Sequence, residues 1–214
     1  MARRSVSVPA PDTAERTAPR SRRGLRTQGA LVAAARTIFE RDGYLDARIS
    51  DISKEAGVSS GSFYTYFDSK EEVFAAVVES VQEDMLHPHV RERLGDDDVP
   101  ALIDAANREY LHSYKRNARL MALFEQVAQI DGDFRELRRK RGDAFATRNA
   151  TLIRRLQEEG KADPSIDPRI TAHALSAMVG RMAYLVFVLG ERIPFEDLVG
   201  TLNKLWANAL QLRS

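Results

Sequence analysis

Ser59, Ser60, Gly61 and Ser62, followed by Phe63, Tyr64, Thr65, Tyr66 and Phe67, are the residues best equipped for chemistry in this chain. Side chains this small let backbone amides and hydroxyls approach a phosphate or a base edge closely, where bulk would hold the segment away. The hydroxyls of Tyr64, Thr65 and Tyr66 can donate to phosphates, and Thr65 can touch a thymine methyl. Lys70 adds a point charge at a helix start, where it opposes the helix dipole and would be favoured by an external anion. Phe63 and Phe67, four residues apart, read as internal packing that holds the segment in place.

The elements that must position these groups follow from local signals. Ile49, Ile52 and Ala56 mark a short helix that stops at Gly57, and Ser59 can cap the next one. Two short helices about a glycine turn match the arrangement in which the second helix enters the major groove of DNA. A preceding helix carries Leu31, Val32, Ala35, Ile38 and Phe39 on one stripe, with Thr27 as the expected N-cap and Gly43 as the stop. Ser69-Lys70-Glu71-Glu72 is a capping box opening a fourth helix with Val73, Phe74, Val77, Val78 and Val81 on its apolar side.

Charge is distributed unevenly. The first 26 residues hold seven arginines against Asp12 and Glu15, a local charge of +5, while the whole chain of 214 residues is only +1. Such an arm, with Pro9, Pro11 and Pro19 and little apolar bulk, is expected to be disordered over residues 1–24. It can lie along a polyanion or have no partner at all; phosphate contact is the favoured reading for Arg20 to Arg26.

Other chemistries are excluded or weakly supported. The chain has no cysteine, which removes disulfides, thiolate metal sites and cysteine nucleophiles. The longest uninterrupted apolar stretch, Met182 to Leu189, is eight residues, against about 20 for a membrane span; no membrane segment and no export signal are expected, and a cytoplasmic location follows. No nucleophile–base pair, metal cluster or paired carboxylates suggest an enzyme, and no cofactor is expected. His87 and His89 read as loop histidines, Asp96 to Asp98 as a linker preceding a helix, and Asn149-Ala150-Thr151 as part of a helix. Arg138-Arg139-Lys140-Arg141 reads as a solvated helix face, with a ligand phosphate as the alternative.

Beyond Pro88 and the Gly95 to Asp98 break, helical periodicity predicts elements near 99–116, 118–130, 133–159, 168–189 and 194–212, about nine helices in an all-α chain. Tyr110, Tyr114, Met121, Phe124, Phe145, Met178 and Met182 are adaptable side chains that could line a ligand cavity or serve as plain core. Asn149 and His173 are candidate polar anchors within it. The last two helices carry more apolar residues than one buried stripe needs: Ala174, Leu175, Met178, Met182, Leu185 and Val186 on one, Leu198, Leu202, Leu205, Trp206 and Ala209 on the other. A second subunit would bury the surplus, with Ala177, Gly180 and Ala183 permitting close approach; a monomeric bundle would make it core.

Residues 27 to 80 resemble the N-terminal domain of the tetracycline-repressor-like (TetR) family. The resemblance is carried by Ala34-Ala35, Ile38-Phe39, Gly43-Tyr44, Asp51-Ile52, Ala56-Gly57-Val58-Ser59, Phe63-Tyr64-Thr65-Tyr66-Phe67 and Ser69-Lys70-Glu71-Glu72-Val73. The chain departs from the family's usual residues at Gln28, Arg48, Ser53 and Tyr66. The resemblance implies a helix-turn-helix DNA-binding domain over 25–72 and a helical ligand-binding and dimerisation domain over 73–214. It implies a homodimer through the last two helices, a double-stranded DNA operator, and a small apolar or amphipathic effector that releases a repressor. By position it places Tyr64 and Lys70 on phosphates and Ser60, Gly61, Ser62 and Thr65 along the DNA side, with Thr27, Arg48, Ser59 and Tyr66 as further contacts. The competing readings are a non-specific or architectural DNA-binding protein without an effector, and a small-molecule carrier with a vestigial DNA domain.

Overall fold

Capping and glycine turns divide the N-terminal region into four helices. The computed structural model describes residues 21–86 and 98–212. Helix α1 (Arg22–Asp42) starts at Ser21, whose Oγ accepts from the Gly24 amide at 3.1 Å. The expected cap, Thr27, instead lies inside the helix, its hydroxyl donating to the Arg23 carbonyl at 3.1 Å. Residues 22 to 26 contain good helix formers and no proline, so the helix extends back to the earlier hydroxyl residue. Arg22 and Arg23 therefore belong to the first turn of a helix rather than to a disordered arm, and Arg26 follows in the same helix, while residues 1 to 20, His87, His89, Asp96 and Asp97 lie outside the described residues.

Gly43, at φ +84°, ends α1, and Gly57, at φ +68°, turns the chain between α2 (Ile49–Glu55) and α3 (Ser60–Phe63). A side chain at either φ would be strained. Helix α3 is a single turn. Tyr64 to Tyr66 leave it through tighter bonds, Thr65 N–H to the Ser62 carbonyl and Tyr66 N–H to the Phe63 carbonyl. This steers Phe67 inward beside Phe63, both buried. Helix α4 (Lys70–Leu86) opens with one half of the expected capping box, Ser69 Oγ accepting from the Glu72 amide, while the Glu72 carboxylate accepts from the Asp68 amide, one residue before the cap.

The C-terminal region comprises α5 (Val99–Arg116), α6 (Ala118–Ile130), α7 (Gly132–Glu158), α8 (Pro168–Phe187) and α9 (Phe195–Leu210). Asp98, Asp131 and Asp167 cap α5, α7 and α8, and prolines sit in the first turns of α5 and α8, where no backbone donor is lost. Nine helices and no strand are present among the described residues. Helices α7 and α8 pack side by side, α9 lies on α5, and α1 and α4 rest on α6, α5 and α7. Contrary to the expectation from uninterrupted apolar runs, α8 is long and apolar enough to pass for a membrane-crossing helix. Here one of its sides packs on α5, α6 and α7.

One apolar core runs through both regions. Its joint is aromatic: Phe74 of α4 lies 4.9 Å from the Phe39 and Tyr44 rings and 5.2 Å from Phe134 of α7. Around it, Arg36 of α1 donates to Asn117 Oδ1 at 2.8 Å, and Arg119 donates to the Arg41 carbonyl. Helix α4 runs unbroken past residue 72 and contributes to both regions.

Candidate nucleic-acid interface and internal cavity

The predicted contact residues gather at one end of the molecule. Ser59 is committed to capping α3: its Oγ accepts from the Ser62 amide at 3.1 Å and lies 3.0 Å from the Ser62 hydroxyl. Ser60, Gly61 and Thr65 are exposed, as is Tyr64 at 54%. A Cβ at Gly61 would meet nothing nearer than Ser59 Oγ at 3.8 Å. Neither backbone conformation nor internal crowding therefore requires glycine at this position, although glycine costs about 1 kcal/mol relative to alanine within a helix. The freedom it gives is toward the outside.

Tyr66 is half-buried against the core. With Thr27, Arg23, Ser62 and Thr65 it lines a small groove between the start of α1 and α3, so Thr27 joins the site although it caps nothing. Arg48 is exposed at the N-cap position of α2 and makes no capping bond. Arg22, Arg23 and Arg26 are also exposed, in an α1 whose first turn contains no acid. This opposes the helix dipole and favours an anion close by. Lys70, by contrast, has internal acceptors: its Nζ donates to the Tyr44 and Leu45 carbonyls at 2.8 and 3.1 Å and sits over the Tyr44 ring. Those partners account for a lysine at this helix start without an external anion. Ser53 is buried and donates to the Ile49 carbonyl, so it belongs to the packing of α2.

The second site is a half-open cavity of about 970 Å³ lined by α5 to α9. Tyr110, Tyr114, Met121, Phe124 and Phe145 line it, with the Tyr110 and Phe145 rings edge to face at 5.5 Å. Asn149 and His173 also line it; Asn149 donates to Ser176 Oγ at 2.9 Å, and His173 Nε2 lies 3.6 Å from Asp143. Met178 and Met182 do not line it. Helical phase turns them to another side of α8, where they are only half-buried. Gly180 makes room for the Tyr110 hydroxyl, which would lie 3.3 Å from an added Cβ, and Ala183 is fully buried within the subunit. Both are thereby removed from the expected subunit contact.

The basic run of α7 divides. Arg138 pairs with Glu125 at 2.8 Å, and Arg139 pairs with Glu136 and Asp143. Lys140 is exposed, as a solvated face predicts. Arg141 is 8% exposed and lines the cavity. Its position is legible in the sequence: it lies seven residues after Phe134 and four before Phe145, in phase with the apolar stripe. Burial lowers its pKa from the ordinary arginine value, but a guanidinium remains charged under working conditions. Burial also raises the Tyr110 and Tyr114 phenols above the ordinary tyrosine range, keeping both as neutral donors. Trp206, missed as a cavity residue, presents a buried indole N–H that has no hydrogen-bond partner among the described residues. Among the described residues no group of three or more His, Asp or Glu is placed to hold a metal.

Residues 31–77 match the family described as bacterial regulatory proteins, tetR family. Over 202 residues the chain is 25% identical to the HTH-type transcriptional regulator EthR of Mycolicibacterium smegmatis, covering 90% of this chain and 92% of that one. It is 28% identical over 155 residues to the A-factor receptor protein of Streptomyces griseus, covering 72% of this chain and 53% of that one. The fold is similar to that of a TetR transcription regulator from Haloarcula marismortui, with a TM-score of 0.70 at 17% identity over 87% of this chain and 98% of that chain.

Proposed function

We propose that this chain, which belongs to the TetR family and is a DNA-binding transcriptional regulator, is a repressor released from a near-palindromic operator by a small apolar or amphipathic molecule. The observation that carries the reading is a pairing. An exposed hydroxyl-rich turn, with Gly61 left bare for no internal reason, shares one apolar core with a cavity of about 970 Å³. Cavities of roughly 300–1,000 Å³ hold drug-sized ligands. In this reading Ser60, Gly61, Ser62, Tyr64 and Thr65 face the major groove. Arg48 and the arginines at the start of α1 hold phosphates, which position the protein without reading sequence.

The subunit contact falls on α8 and α9. Leu175, Leu198, Leu202 and Trp206 are absorbed by the subunit's own core, but Met178, Met182 and Leu185 stay half-buried and Leu205 is 44% exposed. A second copy of α8 and α9 against this face buries the remainder and gives a twofold dimer. Two recognition turns then meet half-sites about 34 Å apart, one helical repeat of DNA. Helix α4 is the lever. Its start follows the recognition turn within a few residues of chain, and near its end Met85 touches Arg141 of the cavity wall. A ligand that favours another setting of α4 changes the spacing of the turns, and its differential affinity for the two settings limits the loss of DNA affinity. The site of action is the cytoplasm, where such DNA resides.

Selection of binding sequences from a random duplex pool by the full chain tests the reading. Enrichment of a motif with twofold symmetry is expected. Binding without sequence preference would support the architectural alternative instead, since phosphate contacts alone are sequence-independent.

A further inference from the structure

Arg141 is a buried cation held by sulfur rather than by oxygen acceptors among the described residues. It sits mid-way along α7, 8% exposed and on the cavity wall. Its Nη1 contacts Met121 Sδ at 2.9 Å and its Nη2 contacts Met85 Sδ at 2.8 Å. Thioether sulfur is a weak acceptor, while a guanidinium carries five donors in a planar fork. No carboxylate among the described residues forms an ion pair with it. Glu125, whose field reaches it, is held by Arg138, and Glu136 and Asp143 are held by Arg139. A buried charge without a counter-charge is among the most unfavourable arrangements a fold can contain, and folds keep such groups where a ligand completes them.

The surroundings define what would complete it. The hydroxyls of Tyr110 and Tyr114, both cavity-lining, make no hydrogen bond among the described residues and interact electrostatically with this guanidinium. Three donors thus lie around one region of the wall. The lining also offers apolar surface, with Phe124, Phe145 and Leu152, alongside polar groups such as Asn107, Asn149 and Ser176. We propose that Arg141 anchors an anionic head group and that the effector of this cavity is an amphipathic carboxylate, its two oxygens on the guanidinium fork and its hydrocarbon along the apolar wall. The planar fork matches a carboxylate in bidentate fashion. The inference rests on the reading of the cavity as the effector site and adds the chemical class of the effector. It also gives occupancy a route to α4, because a carboxylate taking up the fork draws Nη2 away from Met85.

Calorimetric titration of the full-length protein with saturated carboxylates from hexanoate to tetradecanoate, and with the matching primary amides, tests it. The best carboxylate should bind about tenfold tighter than its amide, or more, the ratio expected for a charge-assisted hydrogen-bonded pair. Arg141→Met, an apolar replacement among two existing methionines, should bring the two affinities together, and Arg141→Lys should keep part of the preference. Equal binding of carboxylate and amide by the unaltered protein would overturn the anchor while leaving the cavity as an effector site. Binding of neither across the whole series would overturn both. Because the carboxylate-to-amide ratio of the unaltered protein decides the matter, the test holds even if the methionine variant does not fold.

Discussion

Gly61 and Gly180 both lie in helices, but they answer to different surroundings. Around Gly61 there is open space, with Ser59 Oγ at 3.8 Å as the nearest atom to a Cβ. At Gly180 the space is taken by the Tyr110 hydroxyl, 3.3 Å from where a Cβ would stand. The same residue type thus faces open space at one end of the molecule and an internal neighbour at the other. The side chains around them follow suit. Ser60 and Tyr64 are exposed, whereas Arg141, Tyr110 and Trp206 line the cavity with polar atoms that meet no oxygen or nitrogen partner among the described residues. In the proposed reading, the surface for duplex DNA is exposed because DNA is too large to enclose, and a small molecule enters a cavity because partial desolvation strengthens the few polar contacts it can make.

Variants of graded severity can break or sharpen this contrast. The largest effect is expected at the joint both regions share. Phe74→Ala removes a fully buried ring that meets Phe39, Tyr44 and Phe134, at a cost of about 3–5 kcal/mol. Denaturant unfolding followed at both regions should show them lost together; two separate transitions would mean that they do not share one core. Next is Gly61→Val, which should weaken operator binding by about 1–3 kcal/mol, the cost of a lost base contact. Its thermal melt should stay the same or rise slightly, because glycine is the poorer helix former.

A smaller loss is expected for Asn117→Ala. Asn117 is 6% exposed, accepts from Arg36 and donates to the Ser113 carbonyl. Its loss should cost about 1–2 kcal/mol of stability and reduce the effect of cavity ligands on DNA affinity, measured by anisotropy with and without ligand. Arg48→Gln should lower the slope of log affinity against log salt by about one unit, with little change in sequence preference. The smallest effect is spectroscopic. With Tyr110 and Tyr114 raised by burial, the folded state favours their neutral forms, so these groups weaken the fold as pH rises above the ordinary value of 10.0. Ultraviolet titration of the folded protein should show fewer than six tyrosines ionising near pH 10.0, the remainder appearing on alkaline unfolding.

Local signals made most of the fold legible. The Gly43 and Gly57 stops, the Ser59 and Ser69 caps and the apolar stripes placed the helices within a few residues. Where two adequate caps competed, as Ser21 and Thr27 do, the sequence around Thr27 alone misled, because nothing between them breaks a helix. The end of α3 after Phe63 has no local signal, since the inward turn of Phe67 is a tertiary demand. Aromatic cavity residues were identified from their periodicity, but periodicity alone could not separate Met178 and Met182, on another side of α8, from residues facing the cavity. Arg141 was hidden by its neighbours: four consecutive cations read as a solvated face, and only helical phase against Phe134 and Phe145 distinguishes the fourth.

The most direct test compares footprints of the unaltered protein and Gly61→Val on genomic DNA, at concentrations where both are folded by their thermal melts. The unaltered protein should protect a small number of discrete sites with twofold symmetry, and the valine variant should lose them while its melt is preserved. Uniform protection of all sequences by the unaltered chain, or the same discrete sites held equally well by the variant, would contradict docking of the recognition turn against the bases.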